Sequence, residues 1–388
     1  MSPGAANLAR ERARSISAPH AAEWLCAGVG AAVILLAVLA NHDWLDRHLL
    51  PQMFVPREQQ VRIWRIERGV AIMLGLALML PVRRNVGDRI RKGQGGALAW
   101  SLLSFALAAG VAVFASEAVL RTADWEKLER WVAEEEPLRH ADPVLGWTNV
   151  PDRVGFEAYG GRLIRYDLDA EGRRVADLHR AVEPTRPSIL FAGESMLFGF
   201  RLNWDETAAA RIGAAAGAQP VNLSVNGYGT DQEWLQVRHA LPRSGRTKAV
   251  IALFAPMMIE RSLDRHRPRL DADLHWHPAE PGWRLGKLLR KLLLYHSAER
   301  VESGIAASRA GLVAIVRAAR ARGAQPLILV PQFGAEQPIE RRLREEVLAG
   351  LPYVRVEIDP RWTVPGDGHP DARANAAMAD AVIKALRP

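Results

Sequence analysis

Hydrophobic and polar positions divide the chain into two regimes. The first third holds three uncharged apolar runs: Trp24 to Ala40 with 17 residues, Gly69 to Val82 with 14, and Ala97 to Ser116 with 20. The last is long enough to cross a hydrocarbon core of roughly 30 Å at ~1.5 Å per residue. From Ser188 onward the apolar runs shorten and alternate with helical periodicity. Strands are expected at 188–192, 221–225, 249–255, 326–330 and 354–358, and helices at 207–216, 231–240, 304–321, 339–348 and 371–386. Such alternation predicts an α/β domain, a mostly parallel sheet covered by helices on both faces. Between the regimes lies a charged linker helix, Trp125 to Leu138, and short alternating runs around Gly160 and Gly161 that predict a small β-rich lead-in beside the sheet. The domain divisions are therefore 1–118, 119–186 and 187–388, with an insertion at about 257–303. Within that insertion the Leu-rich basic stretch from Lys287 to Tyr295 suits packing on the sheet or lying on a bilayer.

Charge sharpens the reading of the apolar runs. The net charge is +8, which invites nucleic acid as a partner, but its distribution argues against one. Arg10, Arg12 and Arg14 set against Glu11, and Arg83, Arg84, Arg89, Arg91 and Lys92 against Asp88, supply +6 of it, and the remainder is nearly balanced. Two basic segments flanking apolar runs fit the positive-inside rule instead. If both stay cytoplasmic, two crossings must lie between them, so Gly69–Val82 is expected to span as well as 24–40 and 97–116. Everything after about Ala115 then lies outside the cytoplasm, as in a multi-pass protein of a bacterial inner membrane. Trp24–Ala40 also suits a signal peptide with Val38-Leu39-Ala40 as its cleavage site. The single cysteine, Cys26, rules out an intrachain disulfide.

Candidate chemistry lies in three short blocks. Ser188 to Ala192 should be a buried strand, Gly193 a turn, and Asp205-Glu-Thr a helix start, which places Gly193-Glu194-Ser195 in a loop past a strand's carboxyl end, where open α/β sheets bind ligands. Val221-Asn-Leu-Ser-Val-Asn226-Gly227-Tyr ends the second strand. Pro365-Gly-Asp367-Gly-His369-Pro precedes the last helix. Together these resemble the signature blocks of the SGNH hydrolases, the GDSL-type esterases, and Phe198-Gly199 after the serine fits the same pattern. A looser likeness to bacterial membrane-anchored members extends to Leu145-Gly146-Trp147.

The resemblance implies a flavodoxin-like three-layer α/β/α SGNH domain behind three transmembrane helices, with no cofactor and no metal. It makes Ser195 the nucleophile, His369 its base, Asp367 the orienter of that base, and the Gly227 N–H an oxyanion donor. A serine hydroxyl is a poor nucleophile until a base takes its proton, which is why the three belong together. The family often has its aspartate three residues before the histidine, where this chain has Gly366, and it has Asp where Glu194 stands. It also places an asparagine after the third strand, where this chain has Phe254-Ala-Pro-Met-Met-Ile-Glu-Arg261. Either Asn226 or another donor substitutes, or turnover is slow, or the site is silent. Two readings result: a membrane-tethered esterase or O-acyltransferase acting on acyl, above all acetyl, esters of envelope glycans or small metabolites, or a glycan-binding or assembly module on a degenerate fold. His275 and His277 could face one way on a strand, but no third metal ligand stands at a recognised spacing.

Overall fold

The computed structural model describes residues 3–51, 57–122, 135–179, 182–280, 282–286 and 295–386. The linker helix expected from Trp125 falls largely, and the Leu-rich stretch from Lys287 almost wholly, outside them. The chain forms two compact bodies, one of Met1–Ala123 with Trp283–Ser297, the other of Asp124–Gly282 with Ala298–Pro388. The expected insertion is thus divided between them.

In the first body, helix Pro3–Leu39 carries the first apolar run. Helix Arg57–Ala77 runs antiparallel beside it and continues through a π-turn at Leu78–Val82, which contains Pro81, into helix Arg83–Arg91. Arg68 Nε donates to the Ala37 carbonyl at 2.7 Å at one end of the pair, and Arg91 meets Glu23 at 2.7 Å at the other. Midway the backbones touch: a Cβ on Gly30 would lie 2.6 Å from the Gly75 oxygen, and one on Gly75 2.7 Å from the Gly30 oxygen. Small residues permit this kind of close crossing. Two stretches, Ala18–Leu39 and Gly95–Arg121, are long and apolar enough to cross a membrane. The third expected span falls short of that length because Arg65, Glu67 and Arg68 stand just before it and Arg83 and Arg84 just after.

The second body is built on one eight-stranded sheet. Its strands are β1 (Arg153–Tyr159), β2 (Arg162–Leu168), β3 (Arg174–Val175), β4 (Pro187–Ala192), β5 (Gln219–Asn222), β6 (Arg246–Leu253), β7 (Gln325–Phe333) and β8 (Tyr353–Ile358), in the spatial order β8-β7-β6-β4-β5-β3-β2-β1. The five from β4 to β8 are parallel to their neighbours, in the 2-1-3-4-5 order of flavodoxin-like sheets. The lead-in strands do not merely pack beside this sheet. They extend it, antiparallel, through the Arg174–Asn222 pair.

Burial on both faces explains why these strands read as continuous apolar runs. Ile189, Phe191, Ile251 and Leu253 point to the face covered by helices Ala208–Ala215 and Ala372–Leu386, where Ile212, Met378 and Val382 meet them. Leu190, Val250 and Ala252 alternate with them and are equally buried, beneath helices Thr230–Ala240 and Ala298–Ala321. Helix 298–321 begins six residues before the expected start. The strand expected at 221–225 is instead Gln219–Asn222, and residues 223–229 form a structured loop.

Candidate active site

The parallel strand order reverses between β4 and β6, and Ser195 sits at that point. Glu194 caps the short helix Ser195–Phe198, its carboxylate accepting the Met196 N–H at 3.0 Å. Ser195 is buried, with 6% of its surface exposed. Below this turn, Arg174 of β3 is fully buried and donates to the carbonyls of Phe198 at 2.9 Å and Gly199 at 2.5 Å, with its guanidinium over the Phe198 ring. Burial lowers the Arg174 group to about 10, which leaves it cationic at neutral pH.

From the other end of the domain, the turn before helix Ala372–Leu386 delivers His369. This turn is closed by the Val364 N–H to the His369 carbonyl at 2.8 Å and the Asp367 N–H to the Val364 carbonyl at 2.9 Å. His369 Nε2 stands 2.9 Å from Ser195 Oγ, and its Nδ1 2.7 Å from Asp367 Oδ1. The Phe200 ring meets the imidazole edge-on at 4.9 Å. An aspartate two residues before the histidine therefore reaches it despite the glycine at the family's usual position.

Asp367 has a second partner that the sequence did not reveal. Arg201, in the left-handed region at φ 61, donates to Asp367 Oδ2, to Glu157 at 3.0 Å and to Glu135 at 2.9 Å, and stacks on the Tyr159 ring at 3.6 Å. Burial alone would raise the Asp367 carboxyl. The His369 hydrogen bond and the charges of His369 and Arg201 outweigh it and hold the group below the usual carboxylate range.

On the other side of the serine, Glu194 is almost wholly buried, and its Oε2 lies 2.5 Å from Ser195 Oγ. The same oxygen accepts both terminal nitrogens of Arg261 at 3.2 Å, and Arg261 also donates to the Tyr228 carbonyl at 2.6 Å. Burial opposes ionisation of Glu194, but the Arg261 charge and the Ser195 and Met196 bonds keep it below its ordinary value. Glu233 behind it is pushed well above, by burial and then by the Glu194 charge. Arg261 belongs to helix Met258–Ser262 after β6. Met258 does not line this side: it is fully buried in the core with Ile251 and Leu253, and Met257 packs against the same cluster.

The loop after β5 is tied to the serine's strand. Leu223 and Val225 donate to the carbonyls of Phe191 at 2.8 Å and Gly193 at 3.2 Å, which brings Asn226 and Gly227 alongside Gly193-Glu194-Ser195. Gly227 has φ 83, a conformation that favours glycine. The Asn226 side chain makes no hydrogen bond among the described residues, and its Oδ1 is buried without a partner. His277 Nε2 lies 2.8 Å from Asp271, and Asp271, Asp273 and His275 could also converge on an ion; all four are at least partly exposed. A recess of about 780 Å³ lined by residues including Asp142, Arg173 and Arg238 contains none of these side chains.

No protein-family model and no curated protein matches the chain. Its neighbours among solved structures include GDSL and SGNH hydrolases, carbohydrate esterases and an acyltransferase. One is a member of the lipolytic G-D-S-L family from Veillonella parvula DSM 2008, at 10% identity over 51% of this chain and 97% of that one, TM-score 0.32. Another is a GDSL-like lipase from Bacteroides thetaiotaomicron VPI-5482, at 13% over 51% and 87%, TM-score 0.30. A third is a carbohydrate esterase family 2 enzyme with its carbohydrate-binding domain from Corynascus thermopiles, at 16% over 58% and 70%, TM-score 0.32. At such values the likeness carries no assignment, and the chemistry open to the site is decided by its own side chains.

Proposed function

We propose that this chain is a serine-dependent ester hydrolase or O-acyltransferase, with Ser195, His369 and Asp367 as its catalytic triad. The observation that carries the reading is the continuous hydrogen-bonded line from Ser195 Oγ through both ring nitrogens of His369 to Asp367. In the first step His369 Nε2 takes the Ser195 proton while Oγ bonds to the ester carbonyl carbon, and the carbonyl electrons move to oxygen. Collapse of that adduct expels the alcohol, which receives the proton from His369. Water or an acceptor hydroxyl then repeats the sequence on the acyl-enzyme, giving a carboxylic acid or a new ester. The N–H groups of Ser195 and Gly227 are the oxyanion donors of this reading, and neither has an acceptor among the described residues.

The apolar helices and the two basic segments support a tether in a bacterial inner membrane. With Gly69–Val82 as a third crossing, the second body lies outside the cytoplasm, where acetyl or other acyl esters of envelope glycans are the substrate class. Reporter fusions after Leu120 should be active outside the cytoplasm, and cytoplasmic activity would remove the third span. The catalytic reading is tested by labelling with a fluorophosphonate: wild type should be labelled, and Ser195→Ala and His369→Ala should not. An unlabelled wild type would favour a non-catalytic glycan-binding module. One observation points that way: Glu194 competes with His369 for the single Ser195 proton at the shorter distance.

A further inference from the structure

Trp147, in the hairpin Arg139–Asp142/Gly146–Asn149, lies outside the three blocks, yet it meets the loop after β5 at its most consequential peptide. Its indole Nε1 donates to the Asn226 carbonyl at 2.9 Å, and Arg139 Nη1 adds a longer bond to the same oxygen at 3.4 Å. The carbonyls of the next two residues are also held, Gly227 by Arg267 at 3.1 Å and Tyr228 by Arg261. The indole covers Gly227 so closely that a Cβ there would lie 3.2 Å from Trp147 Cζ2. Tyr228 returns the contact, its hydroxyl donating to the Trp147 carbonyl at 2.7 Å.

The peptide joining Asn226 to Gly227 is trans, so its C=O and N–H point in opposite directions. Fixing the carbonyl toward the hairpin therefore fixes the Gly227 N–H away from it. The neighbouring N–H groups have acceptors: Leu223 and Val225 on the serine's strand, Ser224 on Asn222 Oδ1, Tyr228 on the Val225 carbonyl and Gly229 on Gln232 Oε1. Only those of Asn226 and Gly227 have none among the described residues. We infer that Trp147, assisted by Arg139, is a positioning residue for the oxyanion hole: it sets the peptide plane that aims the Gly227 N–H at the carbonyl oxygen of a substrate bonded to Ser195.

This inference rests on Ser195 being the nucleophile. Trp147→Phe keeps an aromatic ring in the hairpin but removes the donor, together with the outer indole ring over Gly227. With a short-chain aryl ester, kcat should fall about tenfold to a hundredfold while KM stays unchanged, since a donor lost from an oxyanion site acts on the transition state. Affinity for phenylboronic acid, which forms a tetrahedral adduct on the serine, should fall by the same factor. Arg139→Met should show the same split with a smaller loss, and it carries the test if Trp147→Phe fails to fold. A KM-only effect, or full kcat in both variants with wild type labelled, would overturn the inference and leave the catalytic reading intact. Wild type that neither turns over nor binds the boronate would sink both.

Discussion

Asp367 and Glu194 stand at opposite ends of the Ser195–His369 pair, and each is held by an arginine, yet the two arrangements act in opposite senses. Asp367 is 14% exposed at its side chain and shares Arg201 with Glu157 and Glu135, so the arginine is the hub of a half-open cluster. Its other oxygen meets His369 Nδ1, a contact that in the proposed triad orients the imidazole to accept a proton. Glu194 is 1% exposed, and Arg261 bonds its Oε2, the oxygen that also draws the serine hydroxyl. On the proposed reading, one pair prepares the base and the other holds back the nucleophile. Similar ion pairs thus differ in consequence because one lies behind the proton acceptor and the other beside the proton donor.

Breaking the more buried pair should cost most. Arg261→Met leaves a buried carboxylate without its cation, and we expect about 3 kcal/mol of lost stability, measured as a lowered Tm; a loss below about 1 kcal/mol would mean that Glu194 simply takes up a proton. Arg201→Met should cost less stability, because Asp367 keeps some solvent, but labelling by the fluorophosphonate should fall about a hundredfold. A carboxyl held below its ordinary value stabilises the fold above that value, about 4, and the contribution is lost as pH falls through the folded value. Without Arg201 the acid loss of activity should therefore begin at higher pH, and an unmoved acid limb would show that Arg201 only supports the turn.

The smaller tests concern the other side. Glu194→Asp withdraws the carboxylate from Ser195 Oγ and restores the residue usual in the resembled family. Release of the hydroxyl to His369 should raise kcat about fivefold, roughly 1 kcal/mol, and an unchanged kcat would argue that the proton already goes to His369. Glu233 runs in the opposite sense of pH: its raised value means that stability is present at low pH and lost as pH rises through the folded value. Glu233→Gln stays neutral throughout, so its Tm should match wild type in acid and exceed it by a few degrees, about 1 kcal/mol, in alkali. Equal Tm at both ends would place the burden elsewhere.

Much of the second body was legible because apolar runs on doubly covered strands announce themselves, and the three blocks fall where the strand order says a ligand should. Each of the five expected parallel strands overlaps an observed one, and Ser195, His369 and Asp367 meet within hydrogen-bond distance. The illegible part depends on long-range geometry. Nothing near Phe200 signals that Arg201 adopts a left-handed conformation and turns back to Asp367, and no spacing links Arg261 to Glu194 or Trp147 to Asn226. Met257 and Met258 follow the same rule: a short helix after β6 turns them toward the core, which no local pattern in the sequence announces. The lead-in was recognised as β-rich, but whether strands lie beside a sheet or join its edge is decided by pairing partners far apart in sequence.

That edge has a practical meaning for anyone who would excise the second body. A fragment starting near Pro187 would lose β1 to β3, bare the outer backbone of β5 where Arg174 pairs with Asn222, and strip the carbonyls of Phe198, Gly199 and Leu202 of the cation that holds them. An uncovered strand edge is a template for pairing with other chains. Such a fragment should precipitate, whereas one starting near Glu135 keeps the edge closed and should stay monodisperse on a sizing column.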